Sequence, residues 1–218
     1  MTNSLPILGI ETSGELCSVA LMVDEKSFVE FNYLQKHIHS EKLIEMVESV
    51  LWHSKVELSN VKEIAVSIGP GSFTGLRIGL SAAKGLALGS NLPIVPVSTF
   101  SAYALQLADY LTDGEKFGII SNASLDEIYF AGFKKKNRQV EVVTELKLIE
   151  KTSLALLTEQ TGKIFGDTEI KNIIKTPYGV TASSICKWAY LFGKDLLTFN
   201  YDYLEPNYFK KFIPRVTR

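Results

Sequence analysis

A β-rich run at residues 64–68 ends in Gly69-Pro70-Gly71-Ser72-Phe73-Thr74-Gly75, and a helical pattern follows to about residue 90. A further apolar run lies at residues 94–97. Strand, glycine turn, helix and strand in that order form a parallel crossover, so the chain folds in the α/β class. The turn resembles a phosphate cradle, because glycines permit positive φ and a helix N-terminus offers N–H groups to an anion. It lacks the Gly-Lys-Ser/Thr ending of a P-loop, and its spacing does not fit the dinucleotide fingerprint. The same helix has an architectural reading. Gly75, Gly79, Ala82 and Ala83 recur at i, i+4, i+7 and i+8, and small residues at that spacing let another helix approach closely.

The chain opens with three strand-like runs, at residues 6–11, 17–23 and 27–33. Gly14-Glu15 reads as a tight hairpin turn between the first two. Residues 40–54 form a helix with Ser40 placed to cap it and Glu41 in its first turn. Its apolar side chains cover roughly 160° of the helix surface, which is wide for a helix lying on one sheet. Such a stripe is either deeply buried or serves two neighbours. Ser98 or Thr99 caps a helix running to about residue 110, and Thr112-Asp113-Gly114 then breaks the chain. A second meander follows at residues 117–120, 128–133 and 140–146, with helices at 152–161 and 181–192 and a short strand at 163–165 between them. Each half is therefore a β-meander followed by helices. The expected division is one lobe over residues 1–104 and another over 105–218, with the tail from about 200 folding back on the first.

Bulk properties narrow the function. The 218 residues carry a net charge of −1, so any nucleic-acid contact comes from a local patch or a partner. The basic tail, with Lys210, Lys211, Arg215 and Arg218, is one such patch. No run reaches the roughly 18 apolar residues of a membrane span, and a cytoplasmic location is expected. Cys17 and Cys186 have no metal-type spacing and read as buried thiols. His37 and His39 form an isolated H-x-H pair without the spacing of a zinc protease. Ser72 does not sit in a G-x-S-x-G elbow. No metal site is expected.

Several segments resemble the TsaB (YeaZ) family. These are Ile7-Leu8-Gly9-Ile10-Glu11-Thr12-Ser13, Cys17-Ser18-Val19-Ala20-Leu21, His39-Ser40-Glu41-Lys42-Leu43-Ile44, the glycine segment through Gly79, Lys84-Gly85-Leu86-Ala87-Leu88-Gly89 and Glu205-Pro206-Asn207-Tyr208. The resemblance implies the two-lobed fold of actin, the sugar kinases and the heat-shock ATPases, with duplicated topology. It implies pairing with a TsaD-like catalytic subunit and a TsaE-like ATPase. Together these transfer a threonylcarbamoyl group to the adenosine next to the anticodon of tRNA, and tRNA reaches this chain through the complex. It also implies a homodimer in isolation. The chain itself is then expected to be a non-catalytic accessory subunit.

The docking residues so implied are His39, Leu43, Ile44, Met46, Val47 and Val50 on the first helix. On the second they are Phe73, Leu76, Arg77, Leu80, Ala83 and Ala87. Gly69, Gly71, Ser72, Thr74 and Gly75 form the glycine loop, and Glu11, Thr12 and Ser13 a residual nucleotide site. The chain departs from the family pattern at Glu11, where Asp is usual, and at Asn122 and Ser124, which replace an acid and an arginine. Gly166-Asp167-Thr168 is not the double-glycine adenosine loop of the ATPases. No tightly bound cofactor is therefore expected in the chain alone, and ATP or ADP belongs at the inter-subunit interface. The alternatives are a stand-alone ATPase or kinase of the same superfold and, more remotely, a metallopeptidase.

Overall fold

The computed structural model describes residues 5–35, 38–154, 157, 161–166, 170, 173–176 and 178–207. Strands β1 (Ile7–Glu11), β2 (Leu16–Met22) and β3 (Phe28–Leu34) form an antiparallel meander. Helix α1 (His39–Ser54), strand β4 (Glu63–Gly69), helix α2 (Phe73–Ser90) and strand β5 (Ile94–Ser98) complete the first lobe. Helix α3 (Thr99–Ala108) leads into β6 (Lys116–Asn122), β7 (Glu127–Lys136) and β8 (Gln139–Glu150), a second antiparallel meander. Strands β9 (Lys163–Gly166) and β10 (Ile174–Lys175) and helix α4 (Ala182–Phe192) follow.

The two sheets have one topology. The first is ordered β3-β2-β1-β4-β5, and the second β8-β7-β6-β9-β10. In each, the first strand of the meander also pairs in parallel with the fourth strand. This duplicated mixed sheet is the actin-like, sugar-kinase-like fold. The expected lobe boundary at residues 104/105 lies inside α3. Helix α4 packs on β1 and β2 of the first sheet and on α3. Residues 194–207 also return to the first lobe. Thr198 bridges Ile94, the Tyr201 hydroxyl donates to the Leu92 carbonyl at 2.6 Å, and the Asn207 amide donates to the Ile68 carbonyl.

Two cores share the first sheet. Leu8, Ile10, Val19, Leu21, Ile64 and Val66 face α1 and α2. Ile7, Ala20, Ala65 and Val97 face α3, α4 and the second sheet's Phe117, Ile119 and Phe133. Strands covered on both faces explain why β1, β2 and β4 read as continuous apolar runs. The α1 stripe serves two neighbours, the sheet and α2.

Sequence expectations needed three local corrections. Ser40 does not cap α1: the helix begins at His39, and its N-cap, Ile38, makes no side-chain capping bond. Thr12 to Glu15 all lie in the first connection, which is longer than a two-residue hairpin turn. The short strand β10 carries no period-2 signal and went unread. His37, part of the 152–161 helix, Asp167, Thr168 and the tail from Tyr208 lie outside the described residues.

Helix α4 is seated by polar groups of β2 and β3. Its Ala182 amide donates to Ser18 Oγ at 2.9 Å, and its Ser183 amide donates to Glu30 Oε1 at 2.7 Å. Two N–H groups that no helix can satisfy internally thus find acceptors on the first sheet, one of them charged. Gly9 lets the helix come this close: a Cβ there would lie 2.5 Å from Cys186 Sγ and 2.6 Å from the Ala182 carbonyl oxygen. Gly9→Ala should therefore destabilise the fold by about 1–3 kcal/mol through overpacking. Urea unfolding checks this, and an unchanged midpoint would mean that α4 is not held at that distance.

Candidate functional site

A cleft of about 1090 Å³ opens between the lobes. Its first-lobe wall carries Glu11, Ser13, Gly71, Ser72 and Thr74, and its far wall Ser121, Asn122, Lys151 and Lys175. Thr99, Phe100 and Tyr103 of α3 also line it. The Tyr103 hydroxyl meets Thr176 Oγ1, which donates to the Gly166 carbonyl at 3.2 Å. Gln106 ties α3 to the approach of α4. Its Nε2 donates to the Gly179 carbonyl at 3.1 Å, and its Oε1 accepts from the Thr181 amide at 3.1 Å and the Ser184 hydroxyl at 2.9 Å.

The glycine loop is locked to the β1–β2 connection. Gly69 adopts φ +110°, a conformation that favours glycine. The Ser72 amide donates to the Ser13 carbonyl at 2.7 Å, and the Thr12 hydroxyl donates to the Gly75 carbonyl at 2.8 Å. A Cβ at Gly75 would lie 2.0 Å from the Thr12 carbonyl oxygen, and one at Gly79 would lie 2.2 Å from Thr12 Oγ1. Gly75 and Gly79 therefore admit Thr12, not another helix, and Thr12 holds α2 rather than lining the cleft. Ser72 caps α2 by accepting from the Gly75 amide at 3.2 Å.

Glu11 sits at the cleft floor, 1% exposed. Its Oε1 accepts from the Ser13 amide. Burial pushes this carboxyl up to about 7, opposed by hydrogen bonds from Ser13 and Ser67. The Thr99 and Ser121 hydroxyls on the same cleft lack partners. The Ser124 hydroxyl donates to Glu127 Oε2 at 2.9 Å and closes the β6–β7 hairpin. Among the described residues, no three His, Cys, Asp or Glu side chains gather to hold a metal. The first turn of α2 carries the N–H donors that suit a phosphate.

The residues implied for docking divide sharply. His39, Leu43, Met46, Val47 and Val50 of α1 are buried, as are Leu76, Leu80, Ala83 and Ala87 of α2. They fill the chain's own core, so charged substitutions at Leu43, Val47, Leu76 or Ala83 would break the fold rather than a surface. The exposed members are Ile44, Phe73 and Arg77, whose guanidinium lies 4.0 Å from the centre of the Phe73 ring. Trp52, two turns after Ile44, is 76% exposed; it was missed because the apolar stripe was read as the docking side. Ser18, Glu30 and Gln106 were also missed, although Ser18, a lone hydroxyl in the apolar run of β2, was a visible signal.

Set beside known proteins, this arrangement defines a class: a two-lobed protein of the actin-like fold whose cleft carries a glycine loop. The family model for TsaD, tRNA N6-adenosine threonylcarbamoyltransferase, matches residues 33–189. The tRNA threonylcarbamoyladenosine biosynthesis protein TsaB of Haemophilus influenzae is 38% identical over 130 residues, 59% of this chain and 54% of that protein. The Escherichia coli protein of the same name is 36% identical over 129 residues, 59% and 55% of the two chains. The matched segment thus spans little more than half of these relatives. The solved structure of YeaZ from Pseudomonas aeruginosa superposes with a TM-score of 0.78, at 22% identity, over 95% of this chain and 100% of that one. The chain belongs to the TsaB (YeaZ) family.

Burial of acids predicts a pH signature. Glu63, 5% exposed at the start of β4, is also pushed up to about 7 by desolvation. Both folded carboxyls lie above the unfolded value of 4.5. Their stabilising contribution is complete below pH 4.5 and is lost as pH rises through about 7. Glu63→Gln should raise stability at pH 7.5 by about 1–3 kcal/mol and flatten the loss between pH 5 and 7.5. Thermal melts across that range check it; a variant as pH-dependent as the parent would contradict it.

Proposed function

We propose that the chain is a non-catalytic subunit that docks on a TsaD-like catalytic subunit. With a TsaE-like ATPase it supports threonylcarbamoyl transfer to the adenosine next to the anticodon of tRNA, in the cytoplasm. The observation that carries this reading is the outer side of α1 and α2. Both helices are held rigidly from beneath, yet Ile44, Trp52, Phe73 and Arg77 remain exposed. Aromatic and arginine side chains on a rigid face are the residues that anchor protein interfaces. The names carried by the relatives support the pathway. ATP or ADP then sits at the seam between subunits, and the same face supports a homodimer when the catalytic subunit is absent.

Ile44→Asp combined with Phe73→Asp should weaken binding to the TsaD-like subunit at least 100-fold while leaving the melting temperature within about 3 °C, since both side chains are exposed. Calorimetric titration and a thermal melt of the same variant check this. Binding that survives would remove the face from the interface. The functional test is reconstitution with the catalytic subunit, the ATPase, tRNA, ATP and threonylcarbamoyl-adenylate. Modified adenosine should form only when this chain is added. Equal modification without it overturns the proposal, and magnesium-dependent ATP turnover by the chain alone would favour the stand-alone ATPase.

A further inference from the structure

We propose that the tip of the β7–β8 hairpin binds RNA, with Lys116, Lys134 and Arg138 on backbone phosphates and Tyr110 stacked on an unpaired base. The choice of RNA rests on the proposed role in tRNA modification. Strands β7 and β8 are joined by the two-residue loop Asn137-Arg138, which the Lys136–Gln139 pair closes. Asn137 takes a left-handed φ of +57°, which Asn tolerates. The tip is pinned to the connection between α3 and β6. The Lys135 amide donates to the Glu115 carbonyl at 2.9 Å, the Gly114 amide donates to the Lys135 carbonyl at 3.0 Å, and the Asn137 amide donates to the Asp113 carboxylate. Lys135 Nζ donates to the Ala108 and Leu111 carbonyls at 2.5 and 2.6 Å, a cation satisfying the C-terminus of α3. Tyr110 lies between those two residues in the chain and is 84% exposed. Strand β6 begins here at Lys116 and reaches the cleft at Asn122, roughly 20 Å away.

Residues 134–138 read Lys-Lys-Lys-Asn-Arg, and the fold uses only part of that charge. Lys135 is occupied by α3. Lys116 and Lys134 stand directly opposite each other on β6 and β7, and like charges so placed destabilise a sheet. Glu141 faces Lys134 from β8 but comes within 3.8 Å of Lys136. The other acids of the corner also have partners. Asp109 pairs with Lys187 at 3.0 Å, Glu115 pairs with Lys163 at 2.7 Å, and Asp113 accepts the Asn137 amide. Lys116, Lys134 and Arg138 make no ion pair among the described residues. Seven basic side chains thus meet four acidic ones at one corner of a chain whose net charge is −1. Uncompensated cations beside an exposed aromatic ring suit single-stranded or looped nucleic acid, because the cations follow the phosphates and the ring stacks on a base. An acidic protein face would use the cations and leave Tyr110 idle. The corner lies on the other side of the first sheet from α1 and α2, so RNA does not compete there with a docked subunit.

The probe is fluorescently labelled, unmodified tRNA. Its anisotropy is followed as the full chain is added in about 50 to 200 mM salt, where the logarithm of affinity falls linearly with that of salt. Lys116→Gln, Lys134→Gln and Arg138→Gln together, with Lys135 kept on α3, should weaken binding at least about tenfold at low salt and reduce the slope by about 2–3. Removing the same charge from exposed first-lobe positions, with Lys26→Gln, Lys55→Gln and Lys62→Gln, should leave the slope within about 0.5 of the parent's. Tyr110→Ala should weaken binding about tenfold with the slope unchanged, since stacking releases no counterions. Should the triple variant not fold, Arg138→Gln alone, at the loop tip, should lower the slope by about 1. The proposal is overturned by absent binding at low salt, by a corner variant with the parent's slope, by a first-lobe variant that loses as much, or by Tyr110→Ala binding as the parent does. Polyglutamate that displaces tRNA at equal charge concentration assigns the corner to an acidic protein face and also overturns it. No catalytic subunit is present, so the outcome is separate from reconstitution: a chain dispensable for modification can bind RNA here, and a required one can fail to.

Discussion

The contact on which the rest of this molecule depends is the seating of α2 against Thr12 and Ser13. Thr12 fills the space left by Gly75 and Gly79 and donates to the Gly75 carbonyl, and Ser13 accepts the Ser72 amide. The backbone of the first hairpin connection and the N-terminus of the helix are thereby brought together at distances that no side chain larger than glycine permits. This fixes the outer side of α2 as a rigid surface. It also fixes Glu11, next in the chain, at the bottom of the interlobe cleft. Surface and cleft are two sides of one packed junction.

A second junction joins the lobes. Helix α4 is reached only after the second sheet is complete, yet it caps on Ser18 and Glu30 of the first and packs over Gly9. Gln106 connects it to α3 through three hydrogen bonds. The order of elements along the chain therefore does not separate the lobes as cleanly as a cut in sequence suggests. The walls of the cleft are held by helices that belong to both.

Much of the architecture was legible. The two meanders, the crossover at residues 64–97 and the final helix announce themselves through apolar runs, glycine turns and capping residues. Their common order along the chain anticipated the duplicated sheets. The α2 stripe was harder to read. Gly75, Gly79, Ala82 and Ala83 have the spacing of a helix–helix contact, and sequence alone cannot say whether the partner is another subunit or a hairpin 63 residues earlier in the same chain. The same ambiguity placed Leu43, Val47, Leu76 and Leu80 on an interface when they lie in the core. Small and apolar residues signal close packing but not its partner. The clearer marks of a free surface were Trp52, Phe73 and Arg77, large side chains off the buried stripe. Within the cleft, Glu11 was recognisable as an acid at the end of a strand. Its Ser13 partner was not, because that depends on how the connection after β1 turns back on the carboxyl.

Native-state hydrogen exchange tests this central junction most directly. If Thr12 and the two glycines lock α2 to the first hairpin, the amides of Ser72, Leu76, Gly79 and Leu80 exchange only through the same global opening that exposes β1 and β4. Their opening free energies then equal that of the central strands and respond to urea with the same slope. Exchange of these amides through a smaller, urea-insensitive opening, while β1 and β4 stay protected, would show that α2 moves independently and would contradict the account.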